Sequence, residues 1–225
     1  MATARDAVSY HDSIAPMWNA GYEGDTYAIR MRILASLIPS GTSGQRWLDA
    51  GCGTGTLSRW LARERGFSVV AIDASEQMLA NAIPQAGVEY HKSDVSKTGL
   101  PAGSFDGVLS SSVLEYLPSV EGALREFHRL LKPGGTLVAS VPNAAWSVRI
   151  PTKAVYWLTR PFGRNRWHTY LDYSKHCYTA SSFAQLLQAS GFSTPRLVKF
   201  GYFEAPFGLR VPMAALIMAS AKTRL

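Results

Sequence analysis

Short apolar runs alternate along this chain with stretches in which apolar residues recur every three or four positions, the periods of buried strands and amphipathic helices. The first clear helix is predicted from Asp25 or Thr26, either of which can cap it, to about Ile38, with Pro39, Ser40 and Gly41 ending it. Tyr27, Met31, Leu34 and Ile38 share one side of that helix, and Arg30 falls inside the apolar arc. An inward arginine needs a partner, either a structural ion pair, a snorkelling stem or a ligand carboxylate. Residues 10–24, ahead of it, are aromatic and broken by proline and glycine, which reads as irregular chain or a short helix. A strand then closes on Trp47 and Leu48 with Asp49 at its end. Gly51, Gly53 and Gly55 follow, and Leu57, Trp60 and Leu61 recur at helical spacing up to Gly66, a fitting C-cap.

The same unit repeats downstream. FSVVAI (67–72) reads as a strand ending in Asp73, and Asp73 or Ser75 opens a helix carried through Met78 to Ile83. Residues 87–91 form a third strand and lead into Ser93, Asp94 and Val95. A fourth strand contains Phe105, Val108 and Leu109, an amphipathic helix spans 120–131, and Lys132-Pro133-Gly134-Gly135 turns into a fifth strand over 136–141. Strand and helix in alternation require a mainly parallel sheet with helices on both faces. From 143 to 178 the period is lost and aromatic residues accumulate, with Pro151 able to start a short helix over Ala154, Val155 and Leu158. Thr179 caps a helix closed by Gly191, and strands are predicted at 196–203 and 214–221. Their helix-free link implies antiparallel pairing.

Length and charge narrow the function. At 225 residues the chain is one domain, with no internal repeat or low-complexity tract. The segment MATARDAVSYHD has no apolar core of a secretory signal, and the late run at 213–219 is far short of the ~20 residues that span a bilayer. Cys52 and Cys177 lack metal or redox spacing, so the expectation is a soluble, cytoplasmic protein without disulfides. The net charge of +7 is uneven: residues from 142 onward carry +9, with only Asp172 and Glu204 acidic. That suits an anionic acceptor, a phospholipid surface or nucleic acid near that end, or simply a solvated basic face.

The chemistry centres on the glycine turn. Glycines between a strand and a helix let a ligand lie against the backbone, where the helix start offers unpaired N–H groups. Asp73, about 20 residues further on, stands where such folds place a carboxylate against ribose hydroxyls. A nucleotide-linked dehydrogenase shares these two features, but Gly-Cys-Gly-Thr-Gly lacks the wider spacing used for a pyrophosphate.

Five strings in order, LDAGCGTG (48–55), VVAIDAS (69–75), KSDV (92–95), SFDGVLSSSVLEYL (104–117) and LLKPGGTLVASVPN (130–143), resemble class I S-adenosylmethionine-dependent methyltransferases of the ubiquinone/menaquinone-biosynthesis type. The resemblance implies an α/β fold, a Rossmann-like doubly wound seven-stranded sheet that is mostly parallel with an antiparallel last strand. It implies one methyltransferase domain over 1–225, with an N-terminal helical cap (1–45), a cofactor-binding core (46–142), an acceptor-site insert (143–178) and a closing helix and strand pair (179–225). By position, Asp49 and the backbone at Gly51, Cys52, Gly53 and Gly55 would hold the methionine part of the cofactor. Asp73 would take the ribose hydroxyls, Ala74 and Met78 would flank the adenine, and Asp94 with the Val95 N–H would read its edge. Ser110 and Ser111 would line the wall near the sulfonium, and Arg30 would pair with the cofactor carboxylate. Some relatives hold a divalent ion through a Glu-x-x-Glu-His pattern after strand four. Here the matching residues are Ser112, Glu115 and Tyr116, so no metal is expected.

Methyl transfer from a sulfonium is an in-line displacement, in which the protein aligns the nucleophile and manages one proton. His11, His168 and His176 are the candidate bases, with Asp172 an orienting carboxylate for the last two; His91 and His128 read as structural. His168 and His176, in the insert, are the preferred catalytic pair, although alignment alone can suffice. The acceptor implied is a small molecule, aromatic or lipophilic and open to carrying an anionic group, methylated on oxygen or nitrogen. A lipid or quinone precursor met at a membrane surface through 144–166 is the alternative, because Trp146, Tyr156 and Trp157 lie beside Arg149, Lys153 and Arg160. A tRNA methyltransferase and a non-catalytic cofactor-binding regulator rank lower, and nucleic acid is not expected as a partner.

Overall fold

The computed structural model describes residues 7–22, 25–39, 44–145, 150, 153, 154, 157, 158, 169–204 and 210–224. Its sheet contains β1 (Arg46–Ala50), β2 (Ser68–Asp73), β3 (Val88–Lys92), β4 (Phe105–Ser111), β5 (Leu131–Pro142), β6 (Arg196–Glu204) and β7 (Arg210–Lys222), in the order β3-β2-β1-β4-β5-β7-β6. β1 to β5 run parallel, and β7 lies antiparallel to both β5 and β6. The helices are α1 (Ala7–Ile14), α2 (Asp25–Leu37), α3 (Thr56–Arg65), α4 (Glu76–Ala80), α5 (Val120–Leu130) and α6 (Ala180–Ala189).

Successive strand residues point to opposite faces, and both faces are covered. On one, Leu48, Val70, Val108 and Leu137 pack with Leu124 and Phe127 of α5 and Phe183 and Leu187 of α6. On the other, Trp47, Val69, Leu109 and Val138 meet Leu34 and Leu37 of α2 and Leu57 and Leu61 of α3. This two-sided burial is why the central strands read as unbroken apolar runs. The caps also follow the sequence. Gly66 ends α3 at φ 67, and Thr179 and Ser182 form a reciprocal capping box at the start of α6.

Four elements depart from the reading above, among them β7, which begins at Arg210 and not at 214. α4 stops at Ala80 instead of reaching Ile83, with Asn81 capping the turn onto Gln77. Ile83 is 52% exposed there and Pro84 supplies no N–H, so nothing extends the helix. β5 begins at Leu131, because Leu131 pairs with Phe105 before the Lys-Pro-Gly-Gly segment bulges and pairing resumes at Gly107 and Thr136. Residues 7–22 form α1 and a 3-10 helix (Ala15–Tyr22), more ordered than their proline and glycine content implied. In the insert, residues 150, 153, 154, 157 and 158 are helical, while Pro151 lies outside the described residues.

Candidate active site

β1, β2 and β4 end side by side, and their C-terminal ends carry the acidic and glycine residues. Asp49, the fourth residue of β1, is fully buried and accepts a 2.6 Å hydrogen bond from the Ser58 hydroxyl in the first turn of α3. Burial, helped by the nearby charge of Asp73 and opposed by the Ser58 bond, pushes its carboxyl up to about 7. The turn behind it is pinned to β2, since the Gly51 and Cys52 N–H groups both donate to the Ile72 carbonyl. Gly51 has φ 81, and a Cβ there would overlap the Val113 methyls. Gly51→Ala is therefore expected to lower the unfolding free energy by about 2 kcal/mol or more in urea titrations, from left-handed strain plus displacement of Val113. A Cβ at Gly53 would lie 3.0 Å from Trp18 Nε1, and one at Gly55 would collide with the Tyr90 ring. Cys52 is buried, and burial holds its thiol well above the usual range, which disfavours the thiolate.

Asp73 links the two loops. Its Oδ2 accepts from the Gly53 N–H and its Oδ1 from the Ser75 N–H, each at 2.8 Å. Burial raises its pKa, while those two backbone bonds and the neighbouring His11 oppose the rise. Ser75 caps α4 by accepting from the Met78 N–H, which buries Met78 beside the half-buried Ala74. The Ser93 N–H donates to the Asp73 carbonyl, and so the segment after β3 lies alongside. Asp94 there is exposed and accepts from the Ser96 N–H, while Val95 is buried.

At the end of β4, Ser110 is fully buried, and the hydroxyls of Ser110 and Ser111 have no hydrogen-bond partner among the described residues. Ser112 follows at φ 59, a conformation rare for a residue with a side chain. It is held there from both sides: its N–H donates to Ser140 Oγ at 2.8 Å, and the Arg30 guanidinium donates to its hydroxyl at 2.6 Å. Arg30 thus points inward, as its helical position implied, and reaches the end of β4 from α2.

The N-terminal segment lies over these loops; the sequence reading drew only His11 of it into the chemistry. Asp12 accepts from the Ser75 hydroxyl, and Asn19 accepts from the Thr54 hydroxyl. His11 makes edge contacts with Trp18 and Tyr116 at 5.6 and 4.9 Å between ring centres, and Tyr10 stacks on Tyr173 at 4.5 Å. The His11 Nδ1 bonds the Ala7 carbonyl at 2.6 Å, which fixes the ring and leaves Nε2 as the basic nitrogen. Burial lowers its pKa, against the opposing effects of Ala7 and Asp73, so the ring is neutral near pH 7. The aromatic density of residues 10–18 was the available signal. His176 sits beside the turn after β4, where its Nε2 bonds the Leu117 carbonyl at 2.9 Å. His168 lies outside the described residues. Glu115 is buried, and no cluster of three or more His, Cys, Asp or Glu residues able to hold a metal occurs among the described residues.

Residues 22–195 match the methyltransferase-domain family, and the chain belongs to that family. It is 35% identical over 144 residues to a malonyl-[acyl-carrier protein] O-methyltransferase of Serratia marcescens, covering 62% of this chain and 56% of that one. It is 33% identical over 160 residues to a 2-methyl-6-phytyl-1,4-hydroquinone methyltransferase of Synechocystis, covering 68% and 47%. The chain thus spans about half the length of these two relatives. Among solved structures, an S-adenosylmethionine-dependent methyltransferase from Mesorhizobium loti superposes with a TM-score of 0.61 at 26% identity, covering 85% of this chain and 96% of that one.

Proposed function

We propose that this chain transfers a methyl group from S-adenosylmethionine to an oxygen, or a nitrogen, of a small aromatic or lipophilic acceptor. The observation that carries this reading is a pair of carboxylates, the buried Asp49 and the half-buried Asp73, on a positive-φ glycine turn, with two buried serine hydroxyls at the end of the neighbouring strand β4. A polar ligand lying on that turn would satisfy the hydroxyls, and the carboxylates fit its ammonium and ribose groups. Bound there, the cofactor supplies a methyl group on a positively charged sulfur. Asp49 and the backbone of Gly51, Cys52, Gly53 and Gly55 would hold its amino-acid end, with Arg30 near enough to the Ser112 turn to meet the carboxylate. Asp73 would hold the ribose, Ala74 and Met78 the adenine faces, Asp94 and the Val95 N–H its edge, and Ser110 the wall beside the reacting carbon. The base is assigned to His176 or His168, and His11, with its fixed tautomer, joins them as a proton acceptor at Nε2.

Relatives named for a carboxylate-bearing carrier protein and for a phytylated hydroquinone support an oxygen or ring-bearing acceptor. The finer reading of place is cytoplasmic, with contact to a bilayer through 144–166; among the described residues no helix is long and apolar enough to cross one. The test is a mass-spectrometric screen for a one-methyl gain across hydroquinones, phenolic acids, fatty acids and tRNA. Methylation of a quinol or phenol is the expected result, and it should persist in EDTA. Methylation confined to tRNA, loss of turnover restored by magnesium, or cofactor binding with no product in any class would each overturn part of the reading.

A further inference from the structure

The three most exposed large hydrophobic residues among those described lie within one short stretch: Ile150 (60%), Trp157 (63%) and Leu158 (72%). With Lys153 and Ala154, also exposed, they fall at helical positions spaced three, four, seven and eight residues from the first. That spacing places all of them on one face of a helix. Burying such a face in water is favourable only against another apolar phase. The surrounding sequence sets the kind of phase. From 144 to 166 there are Arg149, Lys153, Arg160, Arg164 and Arg166 and no acidic residue. Cations without a single carboxylate, around a tryptophan-bearing apolar face, match an anionic lipid surface.

The segment is rooted at the site. Its start is fixed where Asn143 bridges Tyr178 and the Ala144 N–H donates to the Tyr178 carbonyl at 2.8 Å. Its return is fixed where the Lys175 and His176 N–H groups donate to the Glu115 carbonyl, in the turn after β4, at 2.7 and 3.2 Å. Both anchors stand at the C-terminal ends of β4 and β5, the end that carries Ser110 to Ser112.

We propose that the face bearing Ile150, Ala154, Trp157 and Leu158 docks the protein on anionic bilayers, with the flanking cations on lipid headgroups. Docking there sets the mouth of the site at the headgroup level. The acceptor class that follows is an amphiphile dissolved in the bilayer, whose tail stays in lipid while its hydroxyl or amine reaches the end of β4. The docking itself stands on the surface alone; only the acceptor class rests on the methyl-transfer reading.

The test is co-flotation of the full chain with vesicles of phosphatidylcholine and phosphatidylglycerol in equal parts, against phosphatidylcholine alone. Binding to the mixed vesicles at low salt, weakened by added salt, is expected, with little binding to the neutral ones. Trp157→Ala with Leu158→Ser should lower vesicle affinity at least tenfold, and Lys153→Glu about fivefold or more. These side chains are exposed, so thermal unfolding and S-adenosylhomocysteine affinity should stay unchanged and report an intact fold. A chain that remains unbound to mixed vesicles at low salt, or a double variant that floats as well as the parent, overturns the proposal. Self-association abolished by the double variant, without flotation, assigns the face to a second copy and overturns it too. Flotation that survives while S-adenosylhomocysteine fails to bind keeps the docking and removes the methyl-transfer reading.

Discussion

Replacing Asp73 with alanine is expected to weaken S-adenosylhomocysteine binding about a hundredfold in calorimetry, the loss of roughly 3 kcal/mol. Two effects add. The ribose hydroxyls lose a charged acceptor, and the glycine turn loses the clip that ties Gly53 to the Ser75 loop through one carboxylate. Asp73→Asn separates them. An amide oxygen can still accept from one of the two N–H groups, so the turn stays partly ordered while the charge is gone. Its affinity should fall between the parent and alanine. Unchanged affinity in both variants would sink the cofactor assignment.

The second large effect is in pH. Asp49 keeps its proton in the folded chain up to about 7, against an ordinary value of 3.8. Between those values the folded state binds more protons than the unfolded one, so stability falls as pH rises, by up to roughly 4 kcal/mol across the window. Asp49→Asn removes that slope. The variant should be more stable than the parent above pH 7 and should differ little near pH 4, as read from urea unfolding at several pH values. Ligand binding should behave in the opposite sense. An ammonium group brought against Asp49 favours the ionised form, so binding releases a proton below pH 7 and affinity drops toward about tenfold for each unit of acidification. Calorimetry in two buffers of different ionisation heat measures that proton directly. An Asp49→Asn chain with the parent's stability slope, or with the parent's affinity at pH 8, would show that Asp49 is ionised or idle.

Local pattern carried much of this architecture. Two-sided burial leaves apolar runs at β1, β2, β4 and β5, and turn residues such as Gly66 and Thr179 mark helix ends by their own backbone chemistry. Asp49, Asp73 and the glycines were legible because the motif is short and contiguous. Partners separated in sequence were not. Arg30 was recognisable as an inward arginine, yet Ser112 lies 82 residues away and its positive φ leaves no mark in the sequence. The N-terminal cover was hidden for the same reason: Asp12 meets Ser75 and Asn19 meets Thr54, contacts that no periodicity encodes. The length of α4 and the early start of β5 were misjudged where a proline or a bulge, not propensity, decides the boundary.

The strand order has a consequence for how the molecule is made. β7 lies between β5 and β6, and β6 has no other neighbour in the sheet. During synthesis β6 therefore leaves the ribosome with nowhere to pair, and the exposed edge of β5 stays open until residues 210–222 have followed. The parallel part of the sheet can assemble vectorially, but its completion waits for a strand translated after the one it shelters. Over that interval the nascent chain presents two unprotected edges, the form most prone to pairing with a neighbouring chain. Slow translation or premature termination just before β7 is thus the point at which this fold is most exposed to aggregation.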